Sequence, residues 1–169
     1  MTNVSESSDK DDNGAMTAMA AGIVRDATAG ALATLAPDGA PFVSHVATTA
    51  SPDGEPLFLL SGLALHTQYF RRDGRASLLL VAPAEGTSDP VQAARLTLTG
   101  RVQAPEDGAA AREHFLKVHA DAAGYAGFAD FAFYRLAFER AHLVAGFGRI
   151  ASFDAEGAAA IRAAVVGSD

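Results

Sequence analysis

Hydrophobic and polar residues alternate over short stretches along much of the chain, which is typical of half-buried β-strands. Two copies of a Pro-Asp-Gly turn, at residues 37–39 and 52–54, separate the first three of these stretches. Proline sets the first turn dihedral, and glycine accepts the positive φ that such turns need. Because turns this short join antiparallel neighbours, we predict a three-stranded meander of residues 31–35, 42–49 and 57–61.

The rest of the chain adds strands and a few helices. Residues 63–72 carry apolar side chains at helical spacing, and residues 105–118 begin with Glu106 and Asp107, which favour a helix N-terminus. In the second of these helices Ala111, Phe115 and Val118 form an apolar stripe. Further strands are predicted at residues 76–81, 95–103, 133–140 and 142–153, a polar loop at residues 85–90, and a terminal helix at residues 155–166.

Seven or so short strands, with helices confined to a few connections, favour a small antiparallel barrel with attached helices. A parallel doubly wound sheet is disfavoured because the early turns are too short for a crossover. The segment Gly146-Phe147-Gly148 is a weak dinucleotide-binding match, since Ala151 stands in place of the third glycine. We therefore expect one mainly β domain over residues 15–169.

The first fourteen residues carry Glu6, Asp9, Asp11 and Asp12 against Lys10 and little apolar surface, so we predict a disordered acidic arm at residues 1–14. Residues 15–24 are apolar, but they follow acidic residues and are too few to span a membrane. We expect a cytoplasmic protein without a membrane partner.

Composition excludes several classes of function. A net charge of −7 argues against a binder of nucleic acid, whose affinity depends on cations. The absence of cysteine excludes disulfides, thiolate nucleophiles and cysteine-ligated metals. The five histidines include no i, i+4 pair and no serine lies in a GxSxG motif, so neither a metal site nor a serine hydrolase is expected.

The candidate chemistry lies where the strand of residues 57–61 meets the following helix. Ser61, His66, Thr67 and Arg72 there combine hydroxyls, an imidazole and a guanidinium close to a helix N-terminus, which is the chemistry of a phosphate site. Alternatively, the arginines are solvated charges that complement the helix dipole. For Arg71 we favour this second interpretation.

The order of the segments ALATLAPDGAPFVSHV, PLFLLSGLALHTQYFRRDGRASLLL, RLTLTGRVQ and HLVAGFGR resembles the pyridoxamine 5′-phosphate oxidase-like, FMN-binding split-barrel superfamily. The resemblance covers residues 25–153 and is nearest to the heme-utilisation (HugZ-like) branch. It implies an antiparallel split β-barrel and a homodimer with FMN at two sites shared between subunits. Heme is the alternative ligand.

The resemblance also implies site residues. Ser61, His66 and Thr67 match the positions that hold the FMN phosphate, and Arg95 falls near a position that contacts the flavin. Ser44, Val46 and Thr48 follow the strand beside the ring, where Ser44 and His45 cannot both face the cofactor. The cofactor-binding candidates are therefore Ser44, Val46, Thr48, Ser61, His66, Thr67, Arg72 and Arg95.

Two functions remain open. One is an FMN-dependent oxidoreductase acting on a small redox substrate. The resemblance does not imply vitamin B6 oxidation, because the oxidases proper end in a tryptophan-bearing substrate segment and this chain has no tryptophan. The other is a flavin- or heme-binding carrier or sensor without turnover. In either case we expect Leu57, Leu59 and Val81 to contribute to a dimer interface.

Overall fold

The structure, a computed structural model, describes residues 5–83, 89, 91–146 and 148–167, and the side chains among these from residue 13 onward. Four α-helices, one 3₁₀ helix and eight strands occur within these residues. In chain order they are α1 (Ser5–Asp26), β1 (Ala29–Leu35), β2 (Pro41–Ala47), β3 (Thr49–Ala50), β4 (Pro56–Ser61), α2 (Leu65–Arg72), β5 (Arg75–Val81), β6 (Arg95–Gln103), α3 (Gly108–Val118), the 3₁₀ helix (Ala120–Gly124), β7 (Phe131–Val144), β8 (Ile150–Phe153) and α4 (Ala155–Val166).

All strands belong to one antiparallel sheet in the order β2-β1-β5-β6-β7-β4-β3, with β8 also paired to β7. β2 and β3 stand at opposite ends of this order, yet only Thr48 separates them along the chain. Since two successive Cα–Cα steps span at most about 7.6 Å, the sheet must curl until its ends meet at Thr48. This confirms the predicted fold class, a mainly β antiparallel split barrel with attached helices.

The barrel interior forms the main core. Leu32, Leu78, Leu98 and Leu136 project into it from four strands and are fully buried. Burial of each such side chain contributes about 1.5–3 kcal/mol. α1 and α4 pack against each other and contribute Met16 and Ile161, among others, to the same core.

A second, smaller core lies under α3. It joins Phe115 of α3 to Leu57 and Leu59 of β4, together with Ala111, Ala122 and Ala126. Leu57 and Leu59 are therefore covered by the chain's own α3 region, and the expectation that they contribute to a dimer interface is wrong. Val81 is 55% exposed and remains available.

Both Pro-Asp-Gly turns are confirmed. Gly39 and Gly54 have φ values of 84° and 76°, and their N–H groups donate to the carbonyls of Ala36 and Ser51. The side chain of Asp38 accepts from the Ala40 N–H.

The predicted meander is wrong in one respect. β1 and β2 form a hairpin, but residues 42–49 bend at Thr48, so the second turn joins the short β3 to β4. The two hairpins consequently lie at opposite ends of the sheet. β3 has no alternation, since Thr49 and Ala50 are both buried.

Further boundaries differ from the prediction. Residues 133–153 are predicted as two strands that meet at residue 141, but they form the long strand β7, a turn and the short β8. The strand β7 continues past residue 141 because a bulge at Glu139 accommodates two successive exposed charged residues, Glu139 and Arg140. α3 begins at Gly108, where Asp107 caps it, and Val118 is exposed rather than part of the apolar stripe. Phe147 and most of the predicted loop at residues 85–90 lie outside the described residues.

The backbone of α1 begins at Ser5 and so runs through most of the segment that composition predicts to be disordered. The division of the chain at residue 14 stays a prediction. None of the helices in the described part of the chain is both long enough and apolar enough to cross a bilayer.

Candidate functional site

The short helix α2 packs between β2 and β7. On one flank, Tyr69 packs edge to face on Phe42 of β2 with ring centroids 5.4 Å apart. On the other flank, Phe70 packs on Tyr134 of β7 at 4.8 Å. The polar residues of α2 are therefore held in place between these two strands.

On the β2 flank, the Oγ of Ser44 lies 3.0 Å from Nδ1 of His66, although the residues are 22 positions apart. Strand alternation directs Ser44 toward α2 and leaves His45 exposed on the opposite face. The structure thus brings together two of the candidates from separate segments.

Burial lowers the pKa of His66 below its ordinary value of 6.5, because desolvation disfavours the imidazolium. The ring is consequently neutral near pH 7. Its Nε2 is buried and has no hydrogen-bond partner among the described residues, and the same holds for the Oγ1 of Thr67, a fully buried residue. Such atoms are uncommon and call for an explanation.

The start of α2 also lacks a side-chain cap. Its N-cap residue is Ala64, which has no side-chain acceptor for the first N–H groups of the helix. Uncapped N–H groups together with two unpartnered polar atoms make this turn able to donate hydrogen bonds to an anion.

Ser61 forms a different pair. Its Oγ donates to Oδ2 of Asp130 at 2.6 Å and accepts from the Leu63 N–H at 3.1 Å. The hydroxyl proton is therefore engaged by a carboxylate. Asp130 is a site residue that sequence reasoning missed, and only the β4–β7 pairing, which places Phe131 opposite Ser61, could have indicated it.

Arg71, which the sequence analysis interprets as a solvated charge, is exposed in the last turn of α2 and also has side-chain contacts. Its guanidinium lies against Gly62, within 3.4 Å of where a Cβ would stand, and its Nη2 donates to the Tyr134 hydroxyl at 2.8 Å. Arg71 therefore contacts β7 and the residue that follows β4. The helix-dipole interpretation does not predict these contacts.

The remaining candidates lie elsewhere. Val46 is a core residue, and Thr48 closes the barrel: its Oγ1 donates to the Leu57 carbonyl and its own carbonyl contacts Nε2 of His119 at 2.8 Å. Arg95 donates to the carbonyls of Val91 and Ala93.

Arg72 borders a 310 Å³ hollow beside the Pro-Asp-Gly turn of residues 37–39. That hollow also contains Arg75, whose hydrogen bonds to Asp73 hold the carboxyl pKa at about 2. Cofactor roles for these residues stay predictions.

The lowered pKa of His66 predicts a pH dependence of stability. In the unfolded chain His66 becomes protonated near pH 6.5, whereas in the folded chain its lowered pKa delays protonation to a more acidic pH. Because the unfolded state then binds more protons, the free energy of unfolding falls as the pH drops below about 6.5. Urea denaturation of wild type and His66→Gln between about pH 7.5 and pH 5 measures this. The variant should lose part of the slope, whereas His45→Gln, at an exposed position, should retain it. Equal slopes for all three proteins would contradict the assignment.

A protein-family model described as CREG, beta-barrel matches residues 11–157. A heme binding protein from Mycobacterium smegmatis is similar at 36% identity, with a TM-score of 0.77 over 86% of this chain and 60% of that one. A protein of unknown function from Agrobacterium tumefaciens, Atu2129, is 30% identical, with a TM-score of 0.69 over 76% of this chain and 56% of that one. This chain thus spans less than two thirds of either relative.

A putative pyridoxamine 5′-phosphate oxidase from Listeria innocua shares the fold, with 16% identity and a TM-score of 0.61 over 77% of this chain and 98% of that chain. The comparison with curated proteins finds no match. These similarities confirm the split-barrel superfamily that the sequence motifs resemble.

Proposed function

The chain belongs to the CREG beta-barrel family, and from that premise we propose that it is an FMN-binding flavoprotein that oxidises or reduces a small molecule. The chain shares its fold with a putative pyridoxamine 5′-phosphate oxidase, and this fold is one that binds flavin. The shared fold supports FMN as the cofactor but does not identify the reaction.

The first turn of α2 carries the proposal. Nε2 of His66 and Oγ1 of Thr67 are buried without partners in the part of the chain that the structure describes, at the start of a helix that has no side-chain cap. Leaving a buried polar group unpaired costs about 1–3 kcal/mol. A phosphate at this turn would accept hydrogen bonds from these groups and remove that cost, so their donor chemistry fits the phosphate end of FMN. Because both atoms are buried, binding requires the first turn of α2 to move and expose them.

This site would hold the phosphate with neutral donors. If the Ser44 hydroxyl donates to Nδ1 of His66, the remaining proton of the neutral ring lies on Nε2, where it can be donated to the ligand. When bound, FMN supplies the redox chemistry of its flavin ring. The chain's own residues bind the phosphate and fix its position through α2, which packs against β2 and β7.

Equilibrium titration with FMN and with riboflavin tests the proposal. We expect FMN to bind more tightly, and His66→Ala and Thr67→Val each to weaken FMN binding about tenfold, the loss of one hydrogen bond to a charged group. Riboflavin binding should change little because it lacks the phosphate. Thr17→Val, which removes a hydroxyl on α1, is the matched control. Equal affinities for FMN and riboflavin, or no binding of either, would reject the phosphate site.

Turnover is a separate measurement. With dioxygen as the electron acceptor, the FMN-loaded protein should oxidise a reduced nicotinamide or another reduced donor through many cycles. A protein that binds FMN but completes no second cycle is a carrier or sensor rather than an enzyme.

Heme binding is the second candidate because the 36% identical relative is a heme binding protein. His142 offers an imidazole for iron: its Nδ1 contacts the Ser152 hydroxyl at 2.9 Å, and the residue is exposed. A hemin titration should then give a Soret band that shifts in His142→Ala. An absorption spectrum unaffected by the protein would reject this candidate.

We also propose that the chain forms a homodimer through the outer face of β2, β1 and β5. Val43, Leu79 and Val81 are exposed there, and the small residues Ala31 and Ala33 lie between them on β1. Monomers rarely leave such apolar faces uncovered. Light scattering should report a dimer for wild type and a monomer for Val81→Asp. A wild-type monomer would reject the proposal.

A further inference from the structure

Arg71 is held in a defined place that the phosphate site does not use. Its Nη2 donates to the Tyr134 hydroxyl at 2.8 Å, and its Nη1 and Nη2 lie 3.3 and 3.4 Å from the Cβ position that Gly62 leaves empty. A side chain at residue 62 would press on the guanidinium. The glycine and the tyrosine together therefore fix the position of a guanidinium that stays exposed to solvent.

This guanidinium lies away from the turn assigned to the FMN phosphate. His66 and Arg71 are five residues apart, which corresponds to about 140° around the helix axis and about 7.5 Å along it. His66 contacts β2, whereas Arg71 contacts β7 and the end of β4. One phosphate at the first turn of α2 would therefore leave Arg71 free for another group.

The charge of Arg71 has no carboxylate partner in the described part of the chain: the ion pairs found there within 4 Å involve other cations. Asp130 lies on the same rim, since its carbonyl accepts from the Gly62 N–H, but its carboxylate is bonded to Ser61. One guanidinium beside one carboxylate leaves the rim close to neutral. A second ligand carrying a single negative charge fits it better than a phosphate dianion.

Two exposed apolar side chains lie in the segments that carry Gly62 and Asp130. Leu63, next to Gly62, is 76% exposed, and Phe128, in the loop before Asp130, is 58% exposed. The ring of Phe128 packs on Phe131, which is opposite Ser61 in the sheet. Leu63 and Phe128 are therefore the exposed apolar side chains available to the uncharged part of a ligand at Arg71.

We infer that this rim, made of Gly62, Leu63, Arg71, Phe128 and Tyr134, binds a small monocarboxylate with an apolar or aromatic body, through a salt bridge from Arg71 to the carboxylate. The inference rests on the proposed function in that it takes this molecule to be the second ligand of the flavin site. A guanidinium suits a carboxylate because two parallel N–H donors match its two oxygens. Tyr134 is a positioning residue that acts through Arg71.

The test uses benzoate as the probe, benzamide as its uncharged analogue, and two variants that differ by one position. Amide chemical shifts of the ¹⁵N-labelled protein are followed during each titration. Benzoate should shift the amides of Gly62, Leu63 and Phe128, and benzamide should not. In Arg71→Gln the benzoate affinity should fall about tenfold, the loss of a charge-assisted pair. Arg72→Gln loses the same charge on the same helical turn and should retain wild-type affinity.

Two further measurements keep the outcomes distinct. Tyr134→Phe retains the ring and the guanidinium and should weaken benzoate binding less than Arg71→Gln does. FMN titration of Arg71→Gln should match wild type. Weaker FMN binding with unchanged riboflavin binding would instead assign Arg71 to the FMN phosphate and overturn the inference, as would equal benzoate affinity in both arginine variants. If wild type binds benzoate at the rim but no flavin, the proposed function fails and the carboxylate site stands.

Discussion

Replacing Gly100 with alanine should lower the free energy of unfolding by about 3 kcal/mol, the upper part of the range for overpacking. Gly100 lies in β6 where the pairing with β7 shifts register around Glu139. A Cβ there would overlap the Ala137 carbonyl oxygen and stand 2.6 Å from the Phe138 Cα. Both obstacles are backbone atoms, so no side-chain rotation relieves them.

Gly108→Ala is the matched control, because a Cβ at the start of α3 meets nothing within 4 Å. It should leave stability unchanged or raise it by up to about 1 kcal/mol, as alanine reduces the entropy of the unfolded chain. Urea denaturation of the three proteins measures both effects. A Gly100→Ala variant as stable as Gly108→Ala would show that the bulge does not depend on close backbone approach.

The bulge also explains why sequence patterning divided β7 into two strands. Phe138 and Ala141 are both buried, with the charged Glu139 and Arg140 between them, and this spacing interrupts the period of two that identifies a strand. A bulge inserts one residue without breaking the strand. Before the bulge β7 pairs with β4, and after it β7 pairs with β8, so the irregularity lies where the strand changes partner.

The order of strands could be predicted only in part because local turns report only local pairing. The turn at Gly39 correctly indicates the β1–β2 hairpin. The second turn indicates a hairpin too, but nothing local shows that the chain bends at Thr48 and that β3 lies at the far end of the sheet. That arrangement depends on β7, more than 70 residues further along the chain, which separates β4 from β6.

The candidate site, like the strand order, could be predicted only where its residues lie in recognisable local motifs. Ser44 and His66 could be assigned to one site because both lie in motifs of recognisable order, and the structure places them in contact. Asp130 could not, since its contact with Ser61 spans 69 positions. Arg71 and Arg72 are about 100° apart around the axis of α2, so which of the two faces the site depends on how the helix is rotated. The sequence does not determine that rotation, because both flanks of this helix pack against the barrel.

Glu55→Ala should lower the free energy of unfolding by about 3 kcal/mol, the cost of leaving a buried partner charge uncompensated. Glu55 is 8% exposed and forms a salt bridge with Arg135, whose side chain is 18% exposed. The pair joins the turn after β3 to β7. Arg135 would retain Gln103 at 3.2 Å and the exposed Glu106 at 3.6 Å, which keeps the expected loss at the lower end of the range for buried pairs.

Glu113→Ala provides the comparison that separates burial from charge. Glu113 pairs with Lys117 at 2.9 Å on the surface of α3, with both side chains more than 60% exposed, so its loss should cost no more than about 0.5 kcal/mol. Replacing both Glu55 and Arg135 by apolar residues of similar size, as in Glu55→Leu with Arg135→Met, should restore much of the stability because no unpaired charge remains. If the double variant is as unstable as Glu55→Ala, the loss comes from the geometry of the turn rather than from the uncompensated guanidinium.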